Sequence, residues 1–490
     1  MLASRLTSQH SAILLVWVFF LCLLQLRQVD DLDIPTQITL GNNILVSRSL
    51  VFHESITFTH AGTEMVSPGW LAQVVFALAY AALSWEGVQF VHVLLFSLSF
   101  LLAAVAGTVF CSQRSDISTS AVISAMTLGI LGSLSNSSAR PQSIALFCFA
   151  LTLWSLVSVD DYKKLVLILV PVFIVWQNSH SSLLMGTVVI GCFALGVVLD
   201  AFQNPESRSV KLNSFLALLA LGLISGLLQL ATPLGINIFQ FGAANLRLSR
   251  DVLGVSEWLP PWDSAMIDAM IMFWILLVLS VVGLVAIRFK VRAVSLLLFL
   301  TFTAFSLFSA RFSLFLFVAA IPLWIEVINQ LLSKRYLRFL DIIFCRKLGV
   351  RGVILAAAAA VIMPAYIRPS IISTDVPLEC VRHLKHLLPS GRIYNYREWA
   401  GFLTFYGYPN WTVAIDGRLY VYSLEEWMRY NDAARGLVSV ASLEEIFNPD
   451  AFFLRNDFHR ELISILSNSS HWKQDYIGRN CTVFLPATES

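Results

Sequence analysis

The chain has 490 residues, 57% apolar and only 13% charged, with a mean hydropathy of +0.73 and a formal net charge of +2. Soluble domains carry about 25% charged residues, so the composition excludes a water-soluble protein, and the near-neutral charge suggests no nucleic-acid partner. Seven scattered cysteines form no CxxC or Cys/His cluster, which argues against a zinc or iron–sulfur site.

Apolar runs separated by gaps containing Lys or Arg predict a polytopic helical membrane protein. The candidate spans are 11–26, 88–111, 119–134, 142–158, 164–178, 183–202, 213–231, 266–287, 293–310, 312–331 and 352–367, eleven in all. Acidic residues follow the first run without a small-residue cleavage site, so it reads as a retained helix rather than a signal peptide. The segment Trp70–Trp85 is apolar, but as a helix it reaches only about 24 Å against a hydrocarbon core of about 30 Å. Left out of the span count, it puts the gaps around Arg114, Lys163, Arg208 and Lys211 on the cytoplasmic side. The strongly basic gaps Arg288–Arg292 and Ser333–Arg351 fall there as well. Segment 70–85 is therefore read as an interfacial helix with Trp70 and Trp85 as anchors.

That topology leaves the N-terminus cytoplasmic. The first loop 27–87, the links near 135–142 and 178–182, the loop 231–265 and the chain from 368 to 490 lie outside. The last part alternates strand-like runs (Arg392–Tyr396, Thr412–Ile415, Ala451–Leu454, Thr482–Leu485) with helical ones (Leu424–Ala434, Leu443–Phe447, Arg460–Leu466). Such alternation predicts a small extracytoplasmic α/β domain. Two domains are expected: 1–367, an all-α polytopic membrane domain of about eleven transmembrane helices, and 368–490. Cys380 and Cys481 both fall in the second and are positioned to pair in an oxidising compartment.

The polar residues gather at span ends. Val29-Asp30-Asp31-Leu32-Asp33 brings three carboxylates just after the first run. Like charges so close raise one another's pKa unless a cation, metal or donor intervenes, and hard divalent cations such as Mg or Mn take oxygen ligands of this type. A solvated acidic flank is the competing reading. Arg140, Gln142, Asn178, His180, Glu257 and Arg311 are expected at the same outer level, where ionisable groups at membrane depth mark functional sites. Basic side chains there suit a lipid phosphate. Ile415-Asp416-Gly417-Arg418 reads as a strand end and an ordinary turn.

The order of these pieces resembles a family of mostly uncharacterised bacterial inner-membrane proteins, itself distantly similar to GT-C membrane glycosyltransferases. The matching residues begin with Asp31-x-Asp33, Gly41 and Trp70-Leu71-Ala72-Gln73. Arg140-Pro141-Gln142, Trp176-x-Asn178-x-His180, Pro233-x-Gly235, Glu257-Trp258 and Arg311 follow. Tyr394-Asn395, Trp399-x-Gly401 and Ile415-Asp416-Gly417-Arg418 complete the set. The resemblance departs at Gln37, where relatives tend to carry histidine, and at Pro68-Gly69, where they tend to carry His-Glu. It implies a GT-C-like fold in a bacterial inner membrane and sugar transfer from a polyprenyl-phosphate donor on the outer face. Asp31 or Asp33 would be base or metal ligand, and Arg140 or Arg311 would stabilise the departing phosphate. A non-catalytic scaffold that binds envelope components, or a transporter of an envelope precursor, are the alternatives. Nearly charge-free span interiors argue against the transporter.

Overall fold

The computed structural model describes residues 2–203, 208–332, 370–373 and 375–487. The expected span 352–367 and the basic gap 333–351 lie outside the described residues. The chain divides into two compact units. One comprises Met1–Arg27, Glu86–Ile238 and Gly254–Ile371; the other comprises Gln28–Trp85, Phe239–Leu253 and Ile372–Ser490.

The first unit is helical. Its helices include Leu2–Gln25, Thr119–Ser133, Gln142–Ser158, Tyr162–Ser179, Leu184–Gln203, Arg208–Leu228, Ile271–Ala286 and Ala293–Phe308. Among the described residues, two helices are long and apolar enough to cross a membrane: Trp70–Ser112 and Leu184–Ala201. A third qualifies if Ala310–Ala319 and Ile321–Leu332, bent by 52°, count as one span. The other apolar helices are shorter. Close helix packing rests on small residues, as in membrane bundles. A Cβ on Gly129 would meet the Phe100 ring and the Phe317 carbonyl oxygen, each at 3.0 Å. Phe149 anchors the interior, with Phe302 and Phe315 rings at 5.2 and 5.1 Å. Outward faces are apolar too. Leu212, Leu216, Leu219, Leu223 and Leu227 repeat at helical spacing and are 47–68% exposed, an apolar stripe of the kind that faces lipid or a protein partner.

The helical run Trp70–Ser112 is broken at Leu83 (φ −139°, ψ 22°) and Ser84 (φ 54°, ψ −146°), so segment 70–82 is a short helix of its own. Trp85, expected as a headgroup anchor, is instead buried against Phe402 and Phe405, with ring centroids at 6.1 and 5.1 Å. An indole with two aromatic neighbours gains more from them than from an interface.

The second unit is built on a sheet. Strands β1 (Val51–His53) and β2 (Glu64–Val66) form an antiparallel hairpin. The main sheet has β3 (Gly391–Asn395), β4 (Trp411–Val413), β5 (Ala451–Arg455), β6 (Trp472–Ile477) and β7 (Cys481–Pro486), ordered β4-β3-β5-β7-β6. β3 runs parallel to both β4 and β5, and β7 is antiparallel to β5 and β6. The expected α/β character of this part is present, and its helices Leu424–Ala434, Val440–Phe447 and Arg460–Ser467 fall where the pattern puts them. Two apolar layers cover the sheet, one around Trp411 and Phe453, the other around Trp427 and Phe452. The first-loop sequence joins this unit. Val413 N donates to the Ile56 carbonyl at 3.0 Å, and Thr57 forms a parallel bridge with Val413. Cys380 and Cys481 form a disulfide between helix Leu378–Leu387 and β7.

Candidate functional site

In the first unit, residues from three separate loops meet around one carboxylate. Glu257 lies in a short helical turn, Ser256–Trp258, and Arg311 in another, Ala310–Phe312. The two turns are tied by Ala310 N donating to the Leu259 carbonyl at 2.9 Å and Ser309 Oγ to the Glu257 carbonyl at 3.2 Å. Arg140 Nη1 donates to Glu257 Oε2 at 2.5 Å, and Arg311 Nη1 donates to Glu257 Oε1. With the Gln142 amide oxygen facing the guanidinium, Arg311 Nε and Nη2 both donate to it at 2.8 Å. The Arg311 guanidinium also lies 4.9 Å from the Trp258 ring centroid, a cation–π contact.

Two arginines share one glutamate. The three side chains keep between 20 and 31% of their surface accessible, so the cluster is open to a ligand. Burial works against the ionised Glu257, but Arg311 and Arg140 outweigh it and hold its pKa below the usual carboxylate value. Burial, then the charge of Arg311, push the His180 imidazole down to about 3. His180 is therefore neutral at ordinary pH, and its Nδ1 lies 2.8 Å from Ser182 Oγ. A neutral imidazole adds no charge of its own beside the two guanidiniums.

Of the six residues expected to bind substrate, Arg140, Gln142, Glu257 and Arg311 thus converge, with His180 in electrostatic reach. Asn178 does something else. It is buried, and its Nδ2 donates to the Ile174 and Ala231 carbonyls at 2.9 and 2.7 Å, tying the end of helix Tyr162–Ser179 to the chain after Arg208–Leu228. The sequence reading missed Arg27 and His92 as supports. Arg27 Nη1 donates to the Leu134 carbonyl at 2.6 Å and Ser137 Oγ at 2.5 Å, and His92 Nε2 lies 3.1 Å from the Ser137 carbonyl. Together they hold the loop that carries Arg140. A histidine inside an apolar run was the available signal.

In the second unit, two of the resemblance motifs approach the stretch Asp30–Asp33. Asp31 is buried, and its Oδ1 accepts from the backbone N–H groups of Asp33 and Ile34 at 3.0 Å each, starting helix Ile34–Ser47. Asp33 is exposed. A Cβ on Gly401 would strike the Leu32 carbonyl oxygen, and one on Gly417 would strike Asp33 Oδ1, so both glycines are there to let the chain approach this stretch. Gly41 does the same for the Gln73 backbone, and Gln73 Nε2 donates to Gln37 Oε1 at 3.0 Å.

The turn after β4 is more than a turn. Arg418 is buried between Asp416 and Glu54, with Nη2–Oδ2 at 2.6 Å and Nη1–Oε2 at 2.8 Å. Glu54 Oε1 accepts from Ile56 and Thr57 N–H at 2.7 and 2.9 Å. This triad locks the first-loop hairpin to the sheet, so Glu54 is committed to structure. His60 pairs with Glu426 at 2.9 Å.

Asp31 gives one oxygen to the backbone N–H groups of Asp33 and Ile34, which leaves its second oxygen and Asp33 as the carboxylate ligands a metal could take there. Among the described residues the one converged group of three ligand atoms is Glu379, Cys380 and Cys481. Its sulfurs are joined in the disulfide, and the bonded pair takes precedence over a metal-ligand reading.

A helical bundle with this pattern of loops and a C-terminal mixed sheet is the GT-C fold, and the chain resembles GT-C membrane glycosyltransferases in its structure. The oligosaccharyltransferase AglB of Archaeoglobus fulgidus, tethered to an acceptor peptide, superposes with a TM-score of 0.61 at 11% identity, over 99% of this chain and 74% of that one. In complex with an inhibitory peptide and a dolichol-phosphate, the same protein gives 0.60 at 12% identity, with the same coverage. ArnT of Cupriavidus metallidurans, bound to undecaprenyl phosphate, gives 0.51 at 13%, over 99% of this chain and 98% of that one. The archaeal protein also has a structure with Zn and sulfate. At these identities the likeness is one of fold. No protein-family model and no curated protein matches the chain.

Proposed function

We propose that the chain is a polytopic membrane glycosyltransferase that takes a sugar from a polyprenyl-phosphate donor on the outer face of a bacterial inner membrane. The reading takes the eleven expected spans, with the N-terminus cytoplasmic and residues 368–490 outside. What supports the reading is the Arg140–Glu257–Arg311 bridge: two guanidiniums on one carboxylate in a partly open cluster, on a fold whose solved examples include complexes with dolichol-phosphate and undecaprenyl phosphate. Arg140 and Arg311 take the donor phosphate, Glu257 positions the two guanidiniums, and Gln142 orients Arg311. His180 stays neutral.

In the reaction an acceptor hydroxyl gives its proton to a carboxylate, and its oxygen attacks the anomeric carbon. The bond from that carbon to the phosphate oxygen breaks, and polyprenyl phosphate leaves with the charge that the arginines stabilise. Asp33 is the preferred base because it is exposed, whereas Asp31 starts the following helix and positions it. A Mg or Mn ion, where present, would be held by Asp31 or Asp33, and the steps above are those of the chain's own side chains.

The test compares lipid-linked sugars and envelope glycans by mass spectrometry in four strains: wild type, a deletion, Asp33→Asn and Arg311→Gln, the variants expressed at wild-type level. The reading requires both variants to lose the glycan that the deletion loses and to accumulate the same polyprenyl-phosphate sugar. If only the deletion changes the profile, neither residue takes part in the chemistry and the scaffold reading replaces this one.

A further inference from the structure

We propose that the second unit binds a free α-amino acid with an apolar side chain, in a cleft of about 180 Å³ bordered by helices Leu424–Ala434 and Val440–Phe447. Every residue that lines the cleft belongs to this unit. Glu426, Arg429 and Tyr430 contribute from the first helix, at the i, i+3 and i+4 spacing that puts side chains on one face. Ile446 and Phe447 contribute from the end of the second helix, and the chain leaving β4 adds Ala414 and Ile415.

The walls are fixed before any ligand arrives. Ala414 N donates to Asn395 Oδ1 at 3.0 Å, and Asn395 Nδ2 donates to the Ile415 carbonyl at 2.9 Å. Thr59 Oγ1, also at the cleft, donates to the Ala414 carbonyl at 2.8 Å. The Tyr430 hydroxyl accepts from Arg397 N at 3.0 Å. Glu426 is held from two sides: Oε1 lies 2.9 Å from His60 Nε2, and Oε2 accepts from Ser423 N at 2.7 Å. A pre-organised cleft spares a ligand the ordering of its partners.

The chemistry of the lining selects the ligand. Glu426 and Arg429 are neighbours on the helix, yet among the described residues they do not pair with each other; Arg429 Nη2 donates instead to Glu425 Oε1 at 3.0 Å. Burial works against the ionised Glu426, but the Ser423 donors and His60 outweigh it and hold its pKa below the usual carboxylate value. The Glu426 and Arg429 side chains keep 37 and 41% of their surface accessible. A carboxylate has about four lone-pair sites and a guanidinium five N–H groups, so each has capacity beyond its present bonds. Opposite charges one helical turn apart match a ligand that carries both signs close together, its ammonium on Glu426 and its carboxylate on Arg429. Ile415, Ile446, Phe447 and Tyr430 supply apolar surface for its side chain, the usual composition of a small-molecule site. At roughly 30 Å³ per water the volume equals about six waters, room for a molecule of leucine's size and none for a prenyl chain. A neutral hexose would leave both charges unmatched.

The site stands independently of the donor chemistry above, because its readout is binding. The full chain in lipid nanodiscs is titrated calorimetrically at neutral pH with L-leucine, N-acetyl-L-leucine, L-leucinamide and D-glucose. L-leucine should bind. N-acetyl-L-leucine lacks the ammonium and L-leucinamide lacks the carboxylate, so each should bind about tenfold more weakly, the loss of one hydrogen bond to a charged group. Glu426→Gln should weaken L-leucine about tenfold and leave N-acetyl-L-leucine unchanged. Arg429→Gln should weaken L-leucine to the same degree and leave L-leucinamide unchanged. Glu426→Gln retains a side-chain oxygen for Ser423 N, and an unchanged unfolding temperature verifies that both variants are folded; the comparison of ligands on the wild type needs no variant. The proposal is overturned if L-leucine does not bind, if either blocked ligand binds as well as L-leucine, if both variants bind L-leucine as the wild type does, or if D-glucose displaces it.

Discussion

Removing Arg418 should destabilise the second unit more than any other single change of similar size. The guanidinium is 6% exposed and lies between Glu54 and Asp416, whose side chains are 0 and 1% exposed. Arg418→Met keeps the volume but leaves two carboxylates buried with like charge and no cation. Breaking a buried pair from one side costs about 3–5 kcal/mol. Each carboxylate retains donors that soften the loss: Glu54 keeps two backbone N–H groups, and Asp416 keeps the Arg418 backbone N–H and the Tyr422 hydroxyl, at 2.9 and 3.3 Å. The lower half of the range, about 3 kcal/mol, is therefore expected. At about 2–4 °C per kcal/mol for units of 150–250 residues, the unfolding temperature should drop by roughly 10 °C. The assay is thermal unfolding of the purified full chain, followed by protease sensitivity of the C-terminal unit. The neutral triple variant Glu54→Gln/Asp416→Asn/Arg418→Met should recover much of the loss, since it strands no charge. A single variant that unfolds within a degree of wild type, or a triple variant no better than the single, would refute the reasoning.

Two other outcomes follow from the same unit. Burial pushes His459 down to about 3 from an ordinary 6.5, so the unfolded chain takes up a proton in a range where the folded one does not. Stability should therefore fall as pH drops from about 6.5 towards 3, and His459→Gln should flatten that part of the profile; equal slopes would remove His459 from the account. The Cys380–Cys481 bond closes a separation of 101 residues, for which chain entropy gives about 4–5 kcal/mol. Reductant should lower the unfolding temperature of the wild type and leave Cys380→Ser/Cys481→Ser unmoved, and equal shifts in both would show that the bond contributes nothing.

Three of the C-terminal helices and four of its strands were legible because apolar alternation changes period at their borders; helices Leu378–Leu387 and Ala400–Gly407 were not read. β6 was not, because Trp472–Ile477 carries Lys473, Gln474 and Asp475 in the middle of an edge strand, the kind of sequence that guards an open edge. Arg140, Glu257 and Arg311 were legible as charges at the ends of apolar runs. Their convergence on Glu257 was not, since nothing in spacing brings three loops together. Asp416-Gly417 has the composition of an exposed turn, and Glu54 is too remote in sequence to reveal that Arg418 is buried between them. Span interiors looked nearly free of charge, yet Glu326 sits in one and accepts from Arg292 N and Ser295 Oγ at 2.8 and 2.6 Å. Helix length was the weaker guide. The same rise of 1.5 Å per residue that marked 70–85 as short also makes the 16-residue helices Ile271–Ala286 and Ala293–Phe308 about 24 Å long.

The approach of Gly401 and Gly417 to Leu32 and Asp33 has a consequence for how the molecule is made. Asp33 leaves the ribosome hundreds of residues before Gly417 does, and at about 5–20 residues per second the interval is roughly 20–80 s. Throughout that time the acidic stretch exists without the backbone that finally approaches it. Folding of the second unit therefore has to follow the synthesis of Gly417, and a nascent chain halted before that residue carries its first-loop carboxylates without the two glycines that approach them.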